Sequence, residues 1–121
     1  MEIKFRAYIK AENKTINVDE IDFETKSILT NDVRASEYRY FFDAIELLEY
    51  TGLKDKKGNE IYEGDIIQIK EMRCEIYFGE NYFGNGVGWC VKFIPSGNTN
   101  FFDSSICEGE VIGNIYEPPH Y

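Results

Sequence analysis

The chain has 121 residues, of which 43% are hydrophobic and 16% aromatic, and a formal net charge of −9 at pH 7. That length supports one compact core and argues against two domains, so a single domain over 1–121 is expected; that apolar content excludes a disordered chain. No apolar run approaches the roughly 20 residues that cross a bilayer, and Met1 to Tyr8 carries charges at Glu2, Lys4 and Arg6, unlike a signal peptide. A soluble, cytoplasmic protein is the expectation.

The predicted elements are mostly strands. Ile3 to Tyr8 alternates apolar and charged residues at period two, the pattern of a half-buried strand. Glu12-Asn13-Lys14 supplies a turn, and Thr15 to Val18 begins the return strand. Asp19 to Thr25 alternates again, with Ile21 and Phe23 on one face. Ser27 to Ala35 reads as a loop. From Ser36 the period changes: Tyr38, Phe41, Phe42, Ile45 and Leu48 form the stripe of an amphipathic helix, with Ser36 as N-cap and Glu37 in the first turn. This predicts a helix over 36–43; a strand from Ile45 to Thr51 competes with its continuation. The aromatic cluster Tyr38, Tyr40, Phe41 and Phe42 is assigned to the core.

Tyr50 to Ile69 holds two turn signals. Asp55 to Asn59 is a polar break in which Gly58 and Asn59 tolerate positive φ. Glu63-Gly64-Asp65 is a second break, followed by β-branched Ile66, Ile67 and Ile69. Gly52, Asp55, Gly58, Glu63, Gly64 and Asp65 are read as a structural turn motif, the carboxylates receiving backbone N–H bonds. Glu71 to Phe78 and Trp89 to Ile94 read as a strand pair around a Gly-rich hairpin with an Asn85-Gly86 turn. Asn100 to Asp103 and Val111 to Tyr116 supply the last strands, and Pro118-Pro119 ends pairing. The class is mainly β, α+β at most: a small bent antiparallel sheet or partly open barrel with one short helix.

Three stretches carry a family resemblance. Tyr50 to Ile67 (Y-T-G-L-K-D-K-K-G-N-E-I-Y-E-G-D-I-I), Lys4-Phe5-Arg6-Ala7-Tyr8 and Val111 to Glu117 (V-I-G-N-I-Y-E) resemble, in order, the central, opening and closing signatures of the YopX-like proteins of bacteriophages and prophages. The resemblance spans the chain. It implies a phage-encoded, soluble, β-rich protein and brings no activity or catalytic residues with it.

The remaining chemistry is sparse. Cys74, Cys90 and Cys107 have no C-x-x-C spacing, and the single His120 sits at the end of the sequence, so no zinc set forms. Buried free thiols are expected. Residues 1–60 carry 10 Lys/Arg against 13 Asp/Glu, and residues 61–121 carry 3 against 9. An acidic second half disfavours duplex binding, although Lys54, Lys56 and Lys57 offer a basic patch for a nucleic-acid-associated module. The carboxylates Asp19, Glu20, Asp22 and Glu24 read as a solvated edge, since alternate strand residues stand roughly 7 Å apart and do not converge on a cation. Neither catalytic residues nor a metal or other cofactor is assigned. The preferred function is a phage accessory protein acting through protein contacts, with self-assembly, and Tyr82, Phe83, Phe101 and Phe102 are candidate exposed contacts. A carboxylate-based, metal-dependent hydrolase is the least favoured reading.

Overall fold

Alternating sequence becomes strand almost throughout. The computed structural model describes residues 4–80 and 87–117, which form antiparallel strands, two short 3-10 turns and no α-helix. The mainly β expectation therefore holds. The chain divides into two units, Met1–Tyr50 and Thr51–Tyr121.

In the first unit, β1 (Phe5–Ile9) pairs with β2 (Lys14–Asn17), Ala7 standing opposite Ile16. Three short strands, β3 (Glu20–Asp22), β4 (Ser27–Leu29) and β5 (Arg39–Phe41), make a separate sheet in that order. The loop expected over 27–35 thus begins as a central strand, because Ser27 and Ile28 are fully buried between two neighbours. A 3-10 turn, Phe42–Ala44, leads into β6 (Ile45–Lys54), whose first residues pair with β1.

The helix predicted over 36–43 is not formed. Tyr40 explains why. Its ring is buried with Ala7, Ile9, Ile16, Ile28 and Ile45, while its hydroxyl donates to Glu12 Oε2 at 2.7 Å and accepts the N–H groups of Ser36 and Glu37. Those amides would otherwise open a first helical turn. Pairing of β5 with β4 then fixes the extended backbone, so the helical stripe loses to the sheet. The competing strand reading from Ile45 is the one observed.

The second unit contains β7 (Glu60–Tyr62), which lies beside β6 in sheet order, and a five-stranded sheet. The latter is built from β8 (Asp65–Ile69), β9 (Met72–Glu80), β10 (Val87–Ile94), β11 (Thr99–Phe101) and β12 (Glu110–Asn114), ordered β11-β10-β9-β8-β12. The Asn85-Gly86 turn lies outside the described residues. A second 3-10 turn, Ser104–Glu108, is capped by the Asp103 carboxylate on Ser105 N–H and buries Ile106 against Ile61, Ile67, Cys74, Ile76 and Val91. Each such buried aliphatic side chain contributes about 1.5–3 kcal/mol.

Candidate functional site

The sheet β3-β4-β5 has one face in the core and one face outside, as period-two alternation requires. Ile21, Ile28 and Tyr40 stand in register on the inner face; Glu20, Leu29 and Arg39, then Asp22, Ser27 and Phe41, stand on the outer one. Asp22 builds the β3–β4 hairpin: its Oδ1 accepts the N–H groups of Glu24 and Thr25, which holds its carboxyl below the usual range. Lys26 completes the turn with a positive φ of 54°.

That hairpin displays Phe23, which is 75% exposed and meets Phe42 edge-on at 6.0 Å. Arg39 is held across the outer face by hydrogen bonds to Ser27 Oγ at 2.6 Å and Thr25 Oγ1 at 3.3 Å. Tyr38 and Phe41 are 71% and 54% exposed. A shallow groove of about 360 Å³ runs between Thr25, Lys26, Phe41, Phe42 and Asp43. The outer face thus carries Phe41 beside one positioned guanidinium, that of Arg39. The Glu12 carboxyl under Tyr40 is lowered by its hydrogen bonds to Ser36 and Tyr40. Among the described residues no group of three or more His, Cys, Asp or Glu side chains could hold a metal ion.

A second exposed apolar set lies in the other unit. The inner row of β9 and β10 continues past the core as Phe78 opposite Trp89, ring centroids 5.3 Å apart, and Phe78 and Val87 stay more than half exposed.

The residues singled out from sequence fall differently. Tyr82 and Phe83 lie outside the described residues, as does His120. Phe101 and Phe102 are half-buried, not exposed: Phe101 pairs with Cys90 on β11, and Phe102 packs on the core where the chain folds back over the sheet. Of the aromatics assigned to the core, only Tyr40 is buried in it; Phe42 is half-buried, and Tyr38 and Phe41 face outward. The helical period hid this, because it placed Tyr38 and Phe41 on the stripe and left Tyr40 off it.

The turn motif is a hydrogen-bonded scaffold. Gly52, Gly58 and Gly64 hold φ of 90°, 85° and 85°. Buried Asp55 accepts Lys57 N–H and Asn59 N–H on Oδ1, and Asn59 Nδ2 and Val111 N–H on Oδ2, so it ties the turn to β12. Buried Asp65 accepts Tyr62 N–H at 2.8 Å, and Glu63 is half-buried beside it. Lys56 and Lys57 both reach Glu110, at 3.3 and 3.4 Å, leaving exposed Lys54 outside that pairing. Asp19 accepts Asn31 N–H at 2.6 Å. Cys74 and Cys90 are buried and Cys107 half-buried, all free thiols.

With this geometry in view, comparison with known proteins settles the kinship. The profile of the YopX protein family matches residues 4–121. The chain belongs to the YopX family. No curated protein matches this YopX member. Its fold is similar to that in the crystal structure of protein EF1440 from Enterococcus faecalis, with a TM-score of 0.62 over 99% of this chain and 97% of that one at 23% identity. That likeness is one of fold. No helix of the described YopX chain is long and apolar enough to cross a membrane.

Proposed function

We propose that this YopX protein is a phage- or prophage-encoded accessory protein of the bacterial cytoplasm that works through protein contacts rather than catalysis, and that it self-associates. The observation that carries this reading is the exposure of three aromatic side chains in the first unit, Phe23, Tyr38 and Phe41, each of which is more than half exposed around the small sheet β3-β4-β5. Large exposed aromatics mark contact sites, because their burial releases apolar area and costs little side-chain entropy. The charge of −9 opposes association at long range, but physiological salt screens it within about 8 Å.

The nucleic-acid alternative is less well supported, since Lys56 and Lys57 share Glu110 and their charge is partly offset at contact. Light scattering behind a size-exclusion column at physiological salt tests the proposal. A multiple of 14.1 kDa is expected. A monomer up to millimolar concentration overturns self-association, and salt-dependent retention of single- or double-stranded DNA overturns the preference for protein contacts.

A further inference from the structure

The second unit holds a pocket of about 490 Å³ between the β8–β9 turn and the segment that runs from the second 3-10 turn into β12. Its volume lies within the roughly 300–1,000 Å³ of small-molecule sites. Lys56, Lys70, Glu108 and Glu110 line it together with Gln68, and half-buried Ile69 and Ile112 give it an apolar wall.

Both charged rims are set by backbone. On one side Lys70 holds φ 52° in the turn, and its C=O accepts Gln68 Nε2 at 2.6 Å. Gln68 is itself held, its Oε1 accepting Arg73 Nε at 3.0 Å. On the other side Gly109 lies so close to β8 that an added Cβ would stand 2.5 Å from Ile69, and its C=O accepts Lys56 N–H at 3.1 Å. Glu108 and Glu110 flank this pinned glycine, so their places follow from it.

The four charges are not equivalent. Glu110 is shared by Lys56 and Lys57, at 3.3 and 3.4 Å. Among the described residues, the Lys70 ammonium and the Glu108 carboxylate have no ion-pair or hydrogen-bond partner, and they do not pair with each other. One pocket is thus lined by two opposite charges, each unanswered. An anion drawn to Lys70 also meets Glu108, and a cation drawn to Glu108 also meets Lys70, so either gains at one rim and loses at the other. A molecule that carries both charges gains at both.

We propose that this pocket binds a small zwitterion, a free α-amino acid with an apolar side chain. Its carboxylate sits on Lys70, its ammonium on Glu108, and its side chain against Ile69 and Ile112. The site lies wholly in the second unit and stands independently of the self-association reading. Lys70 and Glu108 are exposed, so each charged contact is modest. A dissociation constant of about 1 mM or tighter is expected for leucine.

Amide proton–nitrogen spectra of the full chain test this, with leucine added to about 20 mM at constant pH and ionic strength. Amides of Gln68, Lys70, Glu108, Gly109 and Ile112 should shift together and saturate. N-acetylleucine lacks the ammonium and leucinamide lacks the carboxylate; each should bind about fivefold or more weakly than leucine. Lys70→Asn removes one charge and keeps a residue that tolerates the positive φ, and Glu108→Gln removes the other at an exposed position. Each should weaken leucine about fivefold, yet Lys70→Asn should not weaken leucinamide and Glu108→Gln should not weaken N-acetylleucine.

That crossed pattern is one a merely structural role does not produce. Variants that weaken all three ligands alike overturn the assignment of the two charges. If N-acetylleucine or leucinamide binds as tightly as leucine, the pocket takes a single charge and the zwitterion is wrong. Absence of saturable shifts with leucine, or shifts centred away from these residues, overturns the site itself. Should one variant lose its folded spectrum, the other carries the same crossed comparison.

Discussion

Asp55→Asn is the most informative single change in the turn motif. Each oxygen of Asp55 already accepts two N–H groups, one pair from the turn and the other from Asn59 Nδ2 and Val111 N–H. An amide has one acceptor oxygen and one donor group. Whichever way the substituted side chain sits, its NH2 faces two N–H donors. The amide loses least with its oxygen on the Lys57 and Asn59 amides, which leaves Val111 N–H, in the part-buried join to β12, without its acceptor. An abandoned donor of this kind costs about 1–3 kcal/mol, so about 2 kcal/mol is expected. With a urea m-value of about 1–3 kcal/mol per molar, the unfolding midpoint should fall by about 0.7–2 M. The cost should also depend on pH. Burial alone would raise the Asp55 carboxyl, but the N–H groups of Val111, Asn59 and Lys57 outweigh it and hold it below the ordinary value. A carboxyl depressed in the folded state contributes stability above its unfolded value of about 3.9, which is lost as pH falls through the folded value. The gap between parent and Asp55→Asn should therefore be full at pH 7 and shrink in acid. Equal midpoints at pH 7 would refute the idea that Asp55 joins turn and strand.

Glycine and cysteine sites give further tests. Gly58→Val and Gly64→Val should both destabilise, since each glycine holds φ +85°, by about 1 kcal/mol for backbone strain alone. Gly64→Val should cost more, because an added Cβ meets the Tyr116 ring at 3.0 Å while Gly58 has open space; equal urea midpoints for the two would contradict that packing. Gly109→Ala should be among the costliest small changes, by about 1–3 kcal/mol of overpacking, as its Cβ would stand 2.5 Å from Ile69, 2.6 Å from Ile67 and 2.7 Å from the Gln68 carbonyl; an unshifted melting temperature would refute it. Thiol labelling should be ordered, with half-exposed Cys107 reacting first at pH 8 and Cys74, which burial pushes up to about 11, reacting only at higher pH or on unfolding; simultaneous labelling would contradict the burial.

Local chemistry alone accounts for much of the chain. Period-two runs at Phe5–Ile9 and Met72–Glu80 are strands because alternation leaves one face to bury. Positive φ at Gly58 and Gly64 was legible because the breaks around them admit little else. The family was legible in three ordered stretches, Lys4 to Tyr8, Tyr50 to Ile67 and Val111 to Glu117. Long-range packing decided the partner of each segment. Ser36 to Phe42 carries a helical stripe, yet Tyr40 finds Glu12 across the fold and β4 beside it, and those contacts outweigh a short helix whose first amides are already taken. Once that stretch is a strand, Tyr38 and Phe41 turn from core to surface and an edge appears that no periodicity announces. Gly109 gives no local signal either, for its constraint is the distance to Ile67 and Ile69 on another strand. Lys56 and Lys57 read as a basic patch until the fold brings Glu110 to them. Exposure, edges and close approaches depend on segments distant in the chain, so only the packed fold could fix them.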